Sequence, residues 1–220
     1  RTPLPYRTPT EIERIQTLSN NGVNLLQNEQ SMSLQVCDLI RNDARGVFQT
    51  FANRDLRQFR KLSMYIHAEQ KGLVTVPDRS LTAVIRMGTD FVNNYYEIRI
   101  PLIMTPPAAG TSLDPNSNTY NDTLWNPNNS LDVDLQSLVR LKMNRNADLS
   151  ASPTVIYRQA PLANGHVYSV LGSPNLAEIR GILIGIENTN EESVCAEVWV
   201  NELRLSSLDE KGGWAALGRV

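Results

Sequence analysis

The side chains that most often carry chemistry are few in this sequence, and they lie far apart. There are only two histidines, His67 and His166, and only two cysteines, Cys37 and Cys195. No two of these four residues have the short spacing that zinc ligands usually show. We therefore expect both histidines to be polar residues at the surface or at an interface, and we predict no metal site.

A pair of aspartates, Asp132 and Asp134, has the spacing of two ligands for a hard cation. The glycine and the distal glutamate that would complete a calcium-binding loop do not follow them. Carboxylates are also common at the start of a helix, where they interact favourably with the N-terminal end of the helix dipole. The pair is therefore expected to mark the start of a helix.

Catalytic motifs are equally scarce. The sequence lacks Gly-x-Ser-x-Gly, His-Glu-x-x-His and a glycine-rich phosphate loop. Asp90 and Glu97 are candidates for a glycosidase-like pair of carboxylates, but a chain with 23 acidic residues offers many such pairs by chance. We expect a protein that is not an enzyme and that uses no cofactor.

Cys37 and Cys195 lie in the first and in one of the last predicted strands of the main domain. In many jelly rolls these strands are neighbours, so the two side chains can face each other. A disulfide between them would close a loop of about 160 residues, which the chain-entropy model values at about 5 kcal/mol. The alternative is a pair of reduced cysteines buried in the core, and the sequence leaves both open.

The composition is that of a globular protein. The 220 residues carry 21 basic and 23 acidic side chains, and 41% are hydrophobic, which excludes a disordered chain. The arginines are interleaved with acids, so we expect no nucleic-acid partner. The longest apolar stretch, residues 181–186, is far shorter than the ~20 residues of a membrane-spanning helix. Because the chain begins with Arg1 and shows no apolar signal-peptide core, we expect a segment of a longer protein.

Apolar residues alternate with polar ones along much of the chain, which indicates β-strands. The clearest case is the segment 62–68, in which four apolar side chains share one face and polar side chains share the other. Pro101 is expected to end its strand or to place that strand at a sheet edge. Further strands are predicted at 33–40, 47–51, 81–87, 95–102, 154–158, 177–187 and 194–205.

Two segments have helical spacing. A capping box at residues 10–13 precedes Ile12, Ile15 and Leu18, and it predicts a short N-terminal helix. Residues 105–130, rich in proline and asparagine, are expected to form a long surface loop. An amphipathic helix of about three turns is predicted after this loop from the spacing of Leu131, Leu135, Leu138, Val139 and Met143.

Together these elements predict a mainly β protein. The expected fold is a jelly-roll-like, galactose-binding-like antiparallel β-sandwich with one amphipathic helix in a connection, because strands and helices do not alternate as in an α/β fold. Three parts are predicted: an N-terminal linker with a short helix at 1–30, the jelly-roll β-sandwich at 31–205, and a C-terminal linker at 206–220.

Two segments near the C-terminus are too specific to be explained by strand formation alone. Residues 195–205 have the sequence CAEVWVNELRL, and residues 212–216 have the sequence GGWAA. They resemble the signature of the SprA/Sov family, the outer-membrane translocon of the type 9 secretion system in Bacteroidetes. Four further segments resemble the same family: NEQSMSLQVCDL (28–39), LRQFRKLSMYIHAE (56–69), NYYEIRIPL (94–102) and RGILIGIEN (180–188).

The resemblance covers most of residues 28–216, with one departure. Asn42-Asp43 stands where the family is expected to have Gly-Asp, and asparagine also tolerates a left-handed turn. Members of the family are far longer than this chain. The resemblance therefore implies a segment of a giant single-chain barrel in the outer membrane of a Gram-negative bacterium, with a role in exporting folded cargo, including gliding adhesins.

The resemblance also implies partners and a location. The expected partners are secreted cargo, other secretion-system subunits and the remainder of the parent chain in the outer membrane. The segment is expected to be a soluble part on the periplasmic or the cell-surface side. Its last residues, 212–220, are expected to lead into a barrel strand and to be poorly ordered or to borrow a partner.

The family signature is expected to be structural. The apolar alternation changes phase at Asn201 and Glu202, which predicts a β-bulge, and Glu202 shares a face with Arg204 and can pair with it. Trp199 points away from its valine neighbours and is expected to anchor packing against the helix or the other sheet. The signature residues are Trp199, Asn201, Glu202, Arg204, Gly212, Gly213 and Trp214.

A carbohydrate-binding jelly-roll module of a cell-surface protein is the alternative function. Modules of that class present exposed aromatic rings, and Tyr65, Tyr95 and Trp125 are the candidates. Most of the few aromatic side chains are needed in the core, so this alternative is weaker than a structural and interaction domain of the translocon.

Overall fold

Segments in which apolar and polar side chains alternate form the strands of two large antiparallel sheets. The computed structural model describes residues 4–10, 16–18, 24–26 and 31–208. Within these ranges the chain is mainly β, and the two sheets pack face to face around one core. The predicted antiparallel β-sandwich is confirmed, and its jelly-roll, galactose-binding-like connectivity stays a prediction.

The elements follow one another in this order. The strands are β1 (Gln16–Leu18), β2 (Asn24–Leu26), β3 (Met32–Leu39), β4 (Ala44–Arg54), β5 (Phe59–Gln70), β6 (Leu81–Gly88), β7 (Tyr95–Pro101), β8 (Leu131–Asp134), β9 (Tyr157–Arg158), β10 (Val167–Leu171), β11 (Ile179–Asn188) and β12 (Val194–Leu208). The helices are α1 (Ala109–Ser112), α2 (Asn118–Leu124) and α3 (Leu135–Ala147), with a 3-10 helix at Pro127–Asn129.

The chain passes repeatedly between the two large sheets. The six-stranded sheet has the strand order β4-β11-β6-β7-β10-β9, and the four-stranded sheet has the order β3-β12-β5-β8. Strands β1 and β2 pair with each other. As a result, the last strand, β12, lies between β3 and β5 and is hydrogen-bonded on both sides.

The core lies between the inward faces of the two sheets. Leu62, Met64, Ile66 and Ala68 of β5 are all buried there, as the alternation predicted. Full burial of such a side chain contributes about 1.5–3 kcal/mol relative to exposure. The facing strands contribute Ala83, Ile85, Met87, Ile98, Ile100, Ile184 and Ile186.

Helix α3 begins directly after Asp134. The Asp134 carboxylate accepts the backbone amide hydrogen of Gln136 at 3.0 Å, so Asp134 caps the helix. Asp132 lies in β8 instead, and its carboxylate is 3.3 Å from the ammonium group of Lys61. The predicted helix start is therefore confirmed for Asp134 and wrong for Asp132, which pairs with β5 as a strand residue.

The apolar stripe predicted for this helix is partly wrong. Leu131 belongs to strand β8, because residues 131–134 pair with β5 before the helix starts. Met143 is exposed, whereas Leu138 and Leu141 pack into the core. The helix is therefore displaced toward the C-terminus relative to the predicted one.

The connection between β7 and β8 is not the long loop that was predicted. It contains α1, α2 and the 3-10 helix. Helix α2 is capped by Ser117, whose hydroxyl accepts the backbone amide hydrogen of Tyr120 at 3.0 Å. Tyr120, Leu124 and Trp125 are buried at helical spacing. The polar residues at 121–123 interrupt this stripe and hide it in the sequence.

Smaller differences concern the chain ends and the β9–β10 region. The strand predicted at 154–158 is reduced to β9, since prolines at 153 and 161 bracket it, and β10 was not predicted. Leu18 lies in β1, so the predicted N-terminal helix does not extend to it, and residues 11–15 lie outside the described part of the chain. Strand β7 ends at Pro101, as predicted, but it is a central strand.

Cys37 of β3 and Cys195 of β12 form a disulfide between adjacent strands. Strand β3 is an edge strand of the four-stranded sheet, so the bond ties this edge to the central strand. The two cysteines are 158 residues apart in sequence. A cross-link over such a long loop removes much conformational freedom from the unfolded chain.

Removing the disulfide with Cys37→Ala and Cys195→Ala is expected to lower the free energy of unfolding by about 3–5 kcal/mol. The measurement is urea unfolding of the wild-type and double-variant chains. A reductant should destabilise the wild-type chain by a similar amount and leave the double variant unchanged. Two titratable thiols in the denatured, unreduced wild-type chain would contradict the bond.

Candidate functional site

Strand β12 is buried on both of its faces. Ala196, Val198 and Val200 point into the core between the sheets. Glu197 and Trp199 point the other way, onto the outer face of the four-stranded sheet, and they are buried too. The outer face of this strand is therefore covered by further parts of the chain.

A β-bulge ends this doubly buried part of β12. The register of β12 against β5 shifts between Asn201 and Arg204, and Glu202 has a positive φ of 54°. The Arg204 guanidinium donates to the Glu202 carboxylate at 2.6 Å. Leu203 is exposed within the bulge. The change of phase in the sequence thus marks a real change in strand geometry.

Trp199 lies at the centre of an aromatic cluster on the outer face. Its ring centroid is 4.4 Å from that of His67, 6.0 Å from that of Tyr6 and 6.5 Å from that of Trp125. Tyr65 packs edge-on against Trp125 at 6.1 Å. Such aromatic pairs contribute about 0.5–1.5 kcal/mol beyond the burial of their area. The cluster therefore fixes the helical connection against the outer face of the sheet.

Glu197 is a buried charge with a full set of partners. Its carboxylate accepts hydrogen bonds from the Ser33 hydroxyl at 2.6 Å and from the Trp199 indole N–H at 2.9 Å. The Lys71 ammonium forms an ion pair with it and lies 3.6 Å from Glu69. Burial by itself would raise the pKa of Glu197, but the hydrogen bonds, led by that of Lys71, lower the pKa to about 2.

Both histidines are buried, contrary to the expectation that they lie at the surface or at an interface. His67 Nδ1 is 3.0 Å from the carbonyl oxygen of Leu124 and 3.0 Å from the hydroxyl oxygen of Thr105. His166 Nε2 is 2.8 Å from the carbonyl oxygen of Asn128, and burial lowers the pKa of His166. Each histidine joins the helical connection to a sheet.

An N-terminal segment without helix or strand, residues 4–9, lies against the aromatic cluster, and we call it the strap. Its main chain is held by hydrogen bonds from side chains in and next to helix α2. Three side chains donate hydrogen bonds to strap carbonyl oxygens: Tyr120 Oη to Pro5 at 2.7 Å, Trp125 Nε1 to Arg7 at 2.7 Å, and Asn121 Nδ2 to Thr8 at 2.8 Å.

Side chains of the strap add further contacts. Leu4 is buried in the aromatic cluster, and the Tyr6 hydroxyl accepts a hydrogen bond from the Asn201 amide at 2.9 Å. The Arg7 guanidinium donates to the carbonyl oxygen of Ser117 at 2.6 Å. The surface that receives these contacts is called the strap groove and is formed by Tyr120, Asn121, Trp125, Trp199 and Asn201.

The strap groove is continuous with a cleft of about 500 Å³ next to Pro9. Tyr65 and Trp125 form part of its wall. Both charge signs line it, including Lys61 and Asp132. Because both charge signs are present, the cleft suits a polar, flexible chain segment better than it suits an anion or a cation.

The aromatic candidates for carbohydrate binding do not form a common platform. Tyr95 is buried on the six-stranded sheet, where the Arg86 guanidinium lies 4.4 Å from its ring centroid. Trp125 is only 4% exposed, and its ring is inclined by 67° to that of Tyr65. Sugars stack on open, flat aromatic faces, so this geometry does not favour the carbohydrate alternative.

The carboxylates considered for catalysis have structural partners. The Asp90 carboxylate accepts the backbone amide hydrogens of Val92 at 2.9 Å and of Asn94 at 3.0 Å. Burial would raise the pKa of Asp90, but the backbone amide of Asn93, the Asn94 side chain and these two backbone bonds lower it to about 2. Glu97 is buried and accepts a hydrogen bond from Arg86 at 2.7 Å.

Gly212, Gly213 and Trp214, like the rest of residues 209–220, lie outside the described residues. In the part that is described, no three His, Cys, Asp or Glu side chains come together as metal ligands. None of the helices in that same part is long and apolar enough to cross a membrane.

The strap and its donors were not predicted from the sequence. The prolines of the N-terminal segment fall in the predicted linker, and Asn121 falls in the predicted surface loop at 105–130. The available signal was the proline spacing in LPYRTP (residues 4–9), since proline favours extended backbone and offers only a carbonyl for main-chain hydrogen bonds. Nothing local in the sequence indicates which surface receives the segment.

Glu197→Gln should lower the free energy of unfolding at pH 7 by about 2–3 kcal/mol, since the native pKa of Glu197, about 2, lies well below the ordinary glutamate value of 4.5. A lowered native pKa stabilises the fold above pH 4.5, and this contribution is lost as pH falls toward 2. The difference between wild type and variant should therefore shrink over that range in urea unfolding.

Glu191→Gln, at a carboxylate with 76% exposure, is the matched control, and an equal effect there would contradict the assignment.

Comparison with known proteins identifies the family. The family model SprA_N, described as motility related/secretion protein, matches residues 1–220. No individual curated protein matches the chain. The matched region contains the signature strand β12 and the whole strap groove. The resemblance seen in the sequence is thereby confirmed, and the chain belongs to the SprA_N family of motility related/secretion proteins.

Proposed function

We propose that this chain is a non-enzymatic structural and interaction domain of a large outer-membrane protein translocon that serves type 9 secretion and gliding motility. The family supports the link to secretion and motility. The strap groove supports the interaction role, because it holds a chain segment through the main chain of that segment. Secreted cargo, other secretion-system subunits and the remainder of the parent chain are its proposed partners.

The proposed location is the cell envelope at the outer membrane, with this domain on the periplasmic or the cell-surface side. The disulfide between Cys37 and Cys195 supports this location. Disulfides persist in oxidising compartments such as the periplasm and the cell exterior, and they are rare in the cytosol.

The proposal that the domain is not an enzyme is supported by how its polar side chains are used. Glu197 is buried among Ser33, Trp199 and Lys71, and each of these contacts holds the fold together. Asp90 organises a turn through backbone amides. Groups that are fully engaged in structural bonds are poor candidates for proton transfer to a substrate.

Trp199→Ala in the parent protein is expected to abolish cargo export and gliding by destabilising the domain. Replacing a buried tryptophan by alanine costs about 3–5 kcal/mol, and this side chain also donates to the buried Glu197 carboxylate. Export and gliding would be measured in cells, and the thermal unfolding of the purified chain would be measured in parallel.

Leu203→Ala is the matched control, because Leu203 lies in the same strand but is 40% exposed. It should leave stability, export and gliding unchanged. Normal export and gliding in cells that carry a destabilised Trp199→Ala domain would disprove the proposed function. Lost export with unchanged unfolding temperature would keep the secretion role and assign Trp199 a direct contact with cargo.

A further inference from the structure

The strap groove recognises features that any extended polypeptide can offer. Its donors Tyr120, Asn121 and Trp125 bind carbonyl oxygens of the strap main chain. Extended proline-containing segments present such carbonyls at the surface, and they lose little conformational entropy on binding because proline fixes φ. Aromatic grooves with donors of this kind are one of the recurrent ways in which proteins bind such segments.

We propose that the strap groove is a binding site for an extended, proline-containing segment of a second protein, and that the strap is its replaceable occupant. The inference rests on the proposed function for the kind of partner, a protein of the secretion apparatus or its cargo. The hydrogen-bond donors and aromatic rings of the groove do not depend on that function.

The strap itself shows which segment fits. Leu4 is buried against the cluster, Pro5 follows it with an exposed ring and a bonded carbonyl, and the Tyr6 ring contacts the rings of Trp125 and Trp199, each at a centroid distance of 6.0 Å. An apolar residue, a proline and an aromatic residue in succession are therefore the expected core of the partner segment. A second proline, four residues after the first, would match Pro9, which is also buried.

Two features make exchange of the strap feasible. The strap is short, and Pro5 and Tyr6 are exposed, so the segment is not enclosed by the groove. The cleft beside Pro9 extends the groove with further polar and aromatic surface. An incoming segment can bind in this cleft while the strap is still in place.

The strap competes with a partner because it belongs to the same chain. A tethered segment acts at an effective concentration on the order of millimolar. A free peptide with the sequence of the strap should therefore bind the wild-type chain only weakly. Weakening the strap should increase the affinity for the free peptide without any change in the groove.

The test uses the full 220-residue chain and a fluorescent peptide with the sequence of residues 1–10, followed by fluorescence polarisation. The chain with Leu4→Ala and Tyr6→Ala should bind the peptide at least 10-fold more tightly than the wild-type chain. Adding Trp125→Phe to that chain keeps an aromatic ring but removes the indole N–H, and it should weaken peptide binding about 5-fold to 10-fold. A peptide of the same composition in scrambled order should not bind.

The milder substitution Arg7→Ala gives the same comparison if the double substitution prevents folding. It removes the strap bond to the Ser117 carbonyl without changing the core. Equal peptide affinity for wild-type and strap-weakened chains, no binding to either, or equal binding of the scrambled peptide would overturn the inference. The binding assay uses the purified chain and does not depend on secretion. If the chain binds the peptide but its loss from cells leaves export unchanged, the proposed function is refuted and this inference stands.

Discussion

The structure depends on the burial of both faces of strand β12. One face supplies valines and alanine to the core between the sheets, and the other face carries Glu197, Trp199 and Asn201. A two-sheet sandwich covers only one face of each sheet. Without a further layer, Trp199 and Glu197 on the outer face of β12 would be exposed to water. Helix α2 and the strap form a third layer at this place, and the need to cover Trp199 explains why they pack there.

The charge of Glu197 makes this third layer specific. A carboxylate is costly to bury unless hydrogen bonds replace its water, and Glu197 finds them at Ser33, Lys71 and the indole of Trp199. The bond to the indole also fixes the orientation of the tryptophan ring. That ring contacts Tyr6 of the strap. The hydrogen bond between Trp199 and Glu197 within β12 therefore also helps to position the strap.

The features that depend only on residues close together in the sequence were predictable. The alternation of apolar and polar side chains predicted the strand around Leu62 and the core face of β12. The change in phase of that alternation at Glu202 predicted the bulge. What escaped prediction depends on distant partners. Tyr120 follows a capping Ser117, but its stripe is recognisable only once a sheet is present to bury it. His67 has the pattern of an exposed strand residue, since nothing in the strand itself shows that α2 covers it.

Stability and occupancy of the groove are therefore linked. Any segment that binds the folded groove, whether the strap or another chain, stabilises the folded state over the unfolded one. Trp199 links the occupant to β12, because its ring contacts Tyr6 of the strap and its indole N–H bonds Glu197 in its own strand. The disulfide restrains the neighbouring edge strand β3 independently of the occupant. The sheet can thus keep its strand order while its outer layer is exchanged, which is the property required of a surface that receives chain segments.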